Sequence, residues 1–282
     1  MEDSDLYRVY MVRQGKKFKQ RLIQQPNENL MQFQKNLVKF FELYPLLDCC
    51  FSKKGMSIKD NADAHSKAKY VLRVDIKNCY PSITRYHIEQ GLNLVDEIYF
   101  RSASYRLLDY CLYDDGRDMI LPTGSPTSPI LCNIALTPLD LQIQELAEQY
   151  GYTYTRYMDD LHLSTTNNKR HWDLINQIKQ LIKDYNLQVN NKKSQWYTVN
   201  NNDKVIITGV RVKNGCTAPR SFVRTVRARL QNLAKDKLPI DKETQGCLSY
   251  IYSIDPERYN SLLQYYDRRL NYEPTQRECL NS

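Results

Sequence analysis

TRYMDDLHLS, residues 155–164, sets Asp159 and Asp160 side by side inside a run otherwise suited to a strand. Thr155, Tyr157, Leu161 and Leu163 have the β-branched, aromatic or apolar side chains that pack on a pleated surface, and Asp is disfavoured there. The longer run YTYTRYMDDLHLS therefore reads as a hairpin with its turn near Met158-Asp159. Carboxylates buried in the middle of a strand without partners would cost several kcal/mol. At a hairpin tip they can instead converge on cations. A third acid, Asp75, ends the apolar strand KYVLRVDI at 69–76.

Three hard oxygen ligands on neighbouring strand ends suit Mg²⁺, which keeps several waters and takes one or two carboxylates plus substrate phosphates. Two such ions about 4 Å apart can clamp an in-line phosphoryl displacement. The acids thus point to nucleotidyl transfer with two Mg²⁺ ions.

The chain of 282 residues is long enough for one large or two modest domains. With 26% charged and 41% hydrophobic residues the composition is soluble and globular. No apolar run approaches the ~18 residues of a membrane span. The opening MEDSDLYRVY has neither a basic start nor an apolar stretch, so no signal peptide and a cytoplasmic location are expected. Eight cysteines without a C-x-x-C pair, and only four histidines, read as reduced thiols. A net charge of +8 suggests an anionic partner. Arg8, Arg13, Lys16, Lys17, Lys19 and Arg21 form one basic cluster and Arg220, Arg224, Arg227 and Arg229 another, so the clusters bracket the acids along the sequence. Twenty-two tyrosines supply faces on which bases could stack.

Periodicity predicts helices over 28–43, much of 85–113, and 172–187. LPTGSPTSP at 121–129 is a turn-rich loop whose Ser128-Pro129 starts a helix that Pro138 should kink. Short strands are expected over 195–213 and helices over 221–235, 242–253 and 256–271. This order describes an α+β fold, an antiparallel sheet backed by helices.

Five stretches, in order, resemble the reverse transcriptase family along almost the whole chain. VDIKNCYPSI, LPTGSPTSPILCN, YMDD and LQVNNKKS look like its successive palm motifs, and ITGVRV lies where the family has primer-contacting strands. The resemblance implies a right-hand polymerase. Its fingers would span 1–70 and 85–120, its palm 71–84 and 121–214, and its helical thumb 215–282. Asp75, Asp159 and Asp160 would hold the metals, with Asp160 the weaker ligand. Tyr80 looks like the steric gate beneath the nucleotide sugar. Gly124 and Ser125 would let backbone approach the nucleotide. Arg21, helped by Lys19, would meet the triphosphate. Lys193 would protonate pyrophosphate, with Lys192 beside it as the other candidate. Asn61 to His65, an N-A-D-A-H stretch, and Thr208-Gly209 resemble two signals of bacterial retron reverse transcriptases. That branch implies a cognate noncoding RNA and its branched DNA product, dNTP substrates, and a separate effector protein in anti-phage defence. His65, Asn61, Thr208 and Gly209 would then serve RNA binding, with Arg224 and Arg227 on RNA phosphates. Two other readings are another small bacterial defence-associated or diversity-generating reverse transcriptase, and a catalytically silent RNA-binding scaffold.

Overall fold

The structure, a computed structural model, describes residues 6–14, 19–199 and 205–271, so Lys16 and Lys17 of the first basic cluster lie outside the described residues. The chain begins with a ribbon of β1 (Tyr7–Gln14) and β2 (Lys19–Pro26), then helices α1 (Glu28–Phe41) and α2 (Ile58–Asp63). Next come β3 (Tyr70–Asp75), the short helix α3 (Cys79–Ser82), α4 (Arg85–Leu92), α5 (Ile98–Leu107), and the small pair β4 (Tyr113–Asp114) and β5 (Met119–Ile120). A long helix, α6 (Ser128–Gln149), leads into β6 (Thr153–Tyr157) and β7 (Asp160–Thr165), followed by α7 (Leu174–Asp184) and β8 (Gln195–Thr198). The last part holds β9 (Ile206–Ile207), β10 (Val210–Val212), β11 (Cys216–Thr217) and helices α8 (Arg220–Lys235), α9 (Lys242–Ile254) and α10 (Pro256–Leu270). This is the expected α+β fold. The β1–β2 ribbon was not expected, because exposed Val9, Met11 and Leu22 leave it no one-sided apolar alternation to read.

The chain divides into two units, Met1–Ser57 with Tyr70–Tyr197, and Ile58–Lys69 with Thr198–Ser282. In the first, a sheet of order β6-β7-β3-β8 carries the motifs, with β7 antiparallel to both β6 and β3. Side chains alternate across a sheet. Leu72, Val74 and Ile76 therefore join Tyr154, Leu161 and Leu163 in the main core, while Arg73 and Asp75 fall on the other face with Asp160 and His162. Helix α6 contributes Leu131, Ile134, Ala135, Leu139 and Ile143 to that core, and α7 adds Leu174, Ile178 and Ile182 at four-residue spacing.

The long helix runs through Pro138 as one element. Proline has no N–H for the carbonyl four residues back, which here belongs to Ile134. Gly91 of α4 lies against that carbonyl, and a Cβ at Gly91 would sit 2.0 Å from the oxygen. The proline and the glycine together let α4 and α6 approach closely.

In the second unit, α8, α9 and α10 pack Val226, Leu230, Leu248, Ile251, Leu262 and Tyr266 into a core of their own. Asp241 and Asp255 cap α9 and α10 by accepting from Thr244 N and Arg258 N, each worth about 1 kcal/mol. Among the described residues no helix is long and apolar enough to cross a membrane. Seven described cysteines are free thiols.

Candidate active site

The hairpin that carries Asp159 and Asp160 turns through two residues. Tyr157 pairs with Asp160, leaving Met158 and Asp159 as the loop, and Met158 takes φ 56°, the left-handed conformation that primed hairpin turns require. Asp160 pairs directly across to Asp75 on β3, and Ile76 N donates to Asp159 O at 3.0 Å. The register therefore brings the three predicted acids to one end of the sheet.

Each acid has a different electrostatic setting. Asp75 is buried and accepts from Lys193 Nζ at 2.7 Å, which separates Lys193 from its neighbour Lys192. The Asp75 backbone is fixed as well: its N–H donates to Ser194 Oγ at 3.1 Å and its carbonyl accepts from Asn190 N at 2.7 Å. Asp160 is taken by Arg73, whose NH2 reaches Oδ1 at 2.7 Å and Oδ2 at 2.8 Å while Nε reaches Oδ1 at 3.1 Å. The two sit diagonally on one face of β3 and β7, within reach for long side chains. Asp159 makes no ion pair among the described residues. Burial raises its carboxyl above the usual range, and the charges of Asp160 and Asp75 add to this, against a lowering effect of Lys193. A carboxylate held against its preference by burial and like charge is a natural cation ligand. Among the described residues no three His, Cys, Asp or Glu side chains are close enough together to hold a metal as they stand. The donor chemistry fits Mg²⁺ all the same: three hard carboxylates share one strand end, and one of them lacks a cation.

Tyr80 lies on α3 just beyond Asp75, half-buried against the main core. Burial pushes its hydroxyl well above the usual range, with Cys132, Cys79 and Asp159 adding to the shift. The 121–126 loop docks on β2. Gln24 N donates to Thr123 O at 2.8 Å, and Thr123 N donates to Gln24 Oε1 at 2.8 Å. Gly124 has φ 122°, and a Cβ there would meet Gln24 O at 3.2 Å. The Ser125 hydroxyl is buried, donating to Gln34 Oε1 at 2.8 Å beside Thr127 Oγ1 at 2.9 Å. Arg21 is exposed on β2 opposite Val12, and Lys19 lies on the same strand opposite Gln14.

The retron-like signals meet one another in the second unit. Thr208 and Gly209 form the two-residue turn between β9 and β10, with φ 45° and 87°. The Thr208 hydroxyl donates to Ile58 O at 3.0 Å and accepts from buried Asn61 Nδ2 at 3.4 Å. Gly209 O accepts from Tyr250 OH at 2.7 Å. His65 is buried just after α2. On α8, Arg224 and Arg227 are exposed. Arg227 lies 4.3 Å over the Tyr265 ring and borders a cavity of about 240 Å³ shared with Arg258, Ser261 and Arg268.

Sequence reasoning missed Arg73 and a polar group behind the turn: buried Arg156, Asp140 and Asn133, with half-buried Ser52. A signal existed. Arg156 shares strand parity with core-facing Tyr154, and an arginine on the core face needs an acid partner.

Residues 4–222 match the family described as Reverse transcriptase (RNA-dependent DNA polymerase). The chain is 30% identical over 266 residues to the Retron Ec86 reverse transcriptase of Escherichia coli, covering 92% of this chain and 80% of that one. It is 27% identical over 242 residues to the Retron Mx162 reverse transcriptase of Myxococcus xanthus, covering 74% of this chain and 49% of that one. A solved telomerase from Candida albicans, in complex with a TWJ fragment of telomeric RNA, shares the fold with a TM-score of 0.54 at 13% identity, over 97% of this chain and 58% of that one. A strand-end acid answered by an acid-bearing hairpin, inside a family match that covers most of the sequence, makes this chain a member of the reverse transcriptase family, of the bacterial retron type, and an RNA-directed DNA polymerase.

Proposed function

We propose that the chain copies part of a cognate noncoding RNA into single-stranded DNA that stays joined to the RNA as a branch, using dNTPs and two Mg²⁺ ions held by Asp75, Asp159 and Asp160. The observation that carries the mechanism is the pairing of Asp75 with Asp160 around an Asp159 that has no cation of its own. Bound there, the metal pair would supply charge stabilisation to the attacking hydroxyl and the leaving pyrophosphate of an in-line displacement. Asp159 offers the most available carboxylate. Asp75 is oriented through its backbone by Ser194 and Asn190. Arg73 engages both oxygens of Asp160, which supports the lesser ligand role for that acid. Lys193, already 2.7 Å from Asp75, is the cation within reach of departing pyrophosphate and can give it a proton from Nζ. Tyr80 excludes a 2′-hydroxyl, Arg21 and Lys19 bind triphosphate, and the Gly124-Ser125 loop meets the nucleotide through its backbone.

In this reading 1–70 and 85–120 are fingers, 71–84 and 121–214 palm, and 215–282 thumb. Exposed Arg224 and Arg227 bind RNA phosphates, which position a nucleic acid without reading its sequence. Asn61, His65, Thr208 and Gly209 serve the RNA by holding the second unit's turn, since the Asn61 and His65 side chains are buried. The enzyme works in the cytoplasm, with a separate effector protein, in anti-phage defence. The test is sequencing of the nucleic acid that copurifies with the protein. A single RNA covalently joined to DNA complementary to part of it is expected. Purified protein that carries no preferred RNA, yet extends a generic primer in Mg²⁺, would leave a reverse transcriptase and remove the retron product.

A further inference from the structure

The polar group behind the catalytic turn is not used by the chemistry above, yet its bonds end on the turn. We infer that Ser52, Asn133 and Arg156 are positioning residues that clamp the backbone of Met158 and thereby aim Asp159. The inference rests on the reading of Asp159 as a metal-holding acid.

Two bonds from this group reach the turn, one to each polar atom of a single peptide residue. Met158 N donates to Ser52 Oγ at 3.1 Å, and Met158 O accepts from Arg156 NH1 at 3.1 Å. Behind them, Asn133 of α6 joins the two. Its Oδ1 accepts from Ser52 Oγ at 2.9 Å and from Arg156 NH1 at 2.9 Å, and its Nδ2 donates to Ser52 O at 3.0 Å. Asp140, two turns further along α6, takes Arg156 Nε and NH2 at 2.7 to 3.0 Å and also accepts from Tyr154 OH at 2.7 Å. With Cys50 Sγ 3.6 Å from NH2, all five N–H groups of the guanidinium have partners. Ser52 is delivered to the site because residues 49–51 run beside β6, with Arg156 N donating to Cys49 O and Phe51 N donating to Arg156 O, both at 2.8 Å.

A buried ion pair is weak evidence for stability as such, since desolvation offsets much of its attraction. Its value here is geometric. Arg156 and Asp140 are each 1% exposed, so the fork is rigid and dry. Met158 needs that rigidity. A non-glycine residue in the left-handed region stays there only when its surroundings over-determine it. The clamp holds Met158 through its backbone, so the adjacent Asp159 side chain stays uncommitted. It also ties the turn to α6, the helix that follows the 121–126 loop.

The experiment uses the full chain with Ser52→Ala, Ser52→Thr and Asp159→Asn, assayed on one annealed primer–template. Ser52→Ala deletes the acceptor of the Met158 amide but leaves Arg156 and Asp140 paired. Hydrogen exchange at Met158, in metal-free protein, should accelerate by about five- to tenfold, the loss of one hydrogen bond. The kcat should fall by about ten- to a hundredfold, as misplacement of a reacting group does, with KM for dNTP and Kd for the duplex within about twofold. Ser52→Thr, which keeps the hydroxyl, should restore kcat to within about threefold. A Ser52→Ala variant with wild-type kcat overturns the clamp, as does a fall that Ser52→Thr fails to rescue. So does a fall matched by equal losses in duplex binding and Tm, which would make Ser52 a fold residue. Loss of synthesis in Asp159→Asn alongside a wild-type Ser52→Ala overturns the clamp alone. Retained synthesis in Asp159→Asn overturns the carboxylate reading and the clamp with it.

Discussion

Two hairpin turns in this protein have the same length and opposite uses. Met158-Asp159 joins β6 to β7, and Thr208-Gly209 joins β9 to β10. Each starts with a non-glycine residue in the left-handed region, at φ 56° and 45°. Each must therefore be held. The Met158 turn is held by its backbone, through Ser52 and Arg156. The Thr208 turn is held by its own side chain, whose hydroxyl is shared between Ile58 O and Asn61 Nδ2. A turn gripped by its backbone leaves its side chains available for chemistry. A turn gripped by its side chain has already committed the group a partner would use. On the reading proposed above, the contrast leaves the Asp159 side chain available to the reaction and gives the Thr208 side chain a structural task.

The largest effect should come from Asp159→Asn. Synthesis should fall by about a thousandfold or more if, as proposed, Asp159 helps hold the metals that stabilise the transition state. The metal-free protein should not lose stability. Burial and like charge raise the Asp159 carboxyl, so its ionised form opposes folding above that pKa. Removing the charge should leave Tm unchanged or raise it by about 2–4 °C, the equivalent of about 1 kcal/mol. Primer extension and thermal denaturation on one preparation check both halves, and a clear drop in metal-free Tm would show that Asp159 is a structural acid like Asp140.

Next is Arg156→Met. It strands the Asp140 carboxylate in the core, which costs about 3–5 kcal/mol. Urea denaturation should show that loss in the midpoint with little change in slope. No comparable penalty is available at the second turn, where the described hold is made of neutral groups.

The pH dependence sharpens the contrast from another side. His162, on β7 two residues after Asp160, is pushed down to about 3 by burial, with Arg73 adding to the shift. An unfolded chain takes up the proton near the usual value of about 6.5, and the folded one does not. The stability contributed by neutral His162 is present above that pH and is lost as pH falls, by up to about 1.4 kcal/mol per unit. Unfolding free energy should therefore decline between about pH 6.5 and 5, and His162→Asn should flatten the decline. Equal slopes in the two proteins would mean that other groups set the acid limit.

The smallest effect belongs to Thr208→Ala, about 1 kcal/mol for the lost bond to Ile58 O. Synthesis on a generic primer–template should stay within about twofold, as expected if the turn serves the RNA and not the chemical step. Synthesis on the protein's own RNA should fall more than that. Loss of both activities in equal measure would remove the distinction between the turns.

Much of the architecture was legible along the chain. The alternation around TRYMDDLHLS marked the hairpin, the apolar run ending in Asp75 marked its partner strand, and the four-residue spacing over 172–187 and the C-terminal helices marked those elements within a few residues. Local periodicity reports which face of an element carries the apolar side chains, and each of these elements has one apolar face. In the β1–β2 ribbon the apolar Val9, Met11 and Leu22 are exposed while the polar Gln24 is buried, so it left no such trace. The motifs also singled out the three acids as candidates, because a carboxylate in a strand context is anomalous in any single sequence.

What the sequence determined by itself was therefore the inventory: three acids, their order, and the strands and helices that carry them. Only the tertiary structure decided which acids are paired with a cation, and with which one. Lys193 lies 118 residues from Asp75 and Arg73 lies 87 from Asp160, and nothing local links them. The same holds for Ser52, 106 residues from the Met158 amide it accepts. Pairings over such separations come from strand register and helix packing, which set two distant side chains a few ångströms apart without leaving a period or a motif in the chain between them.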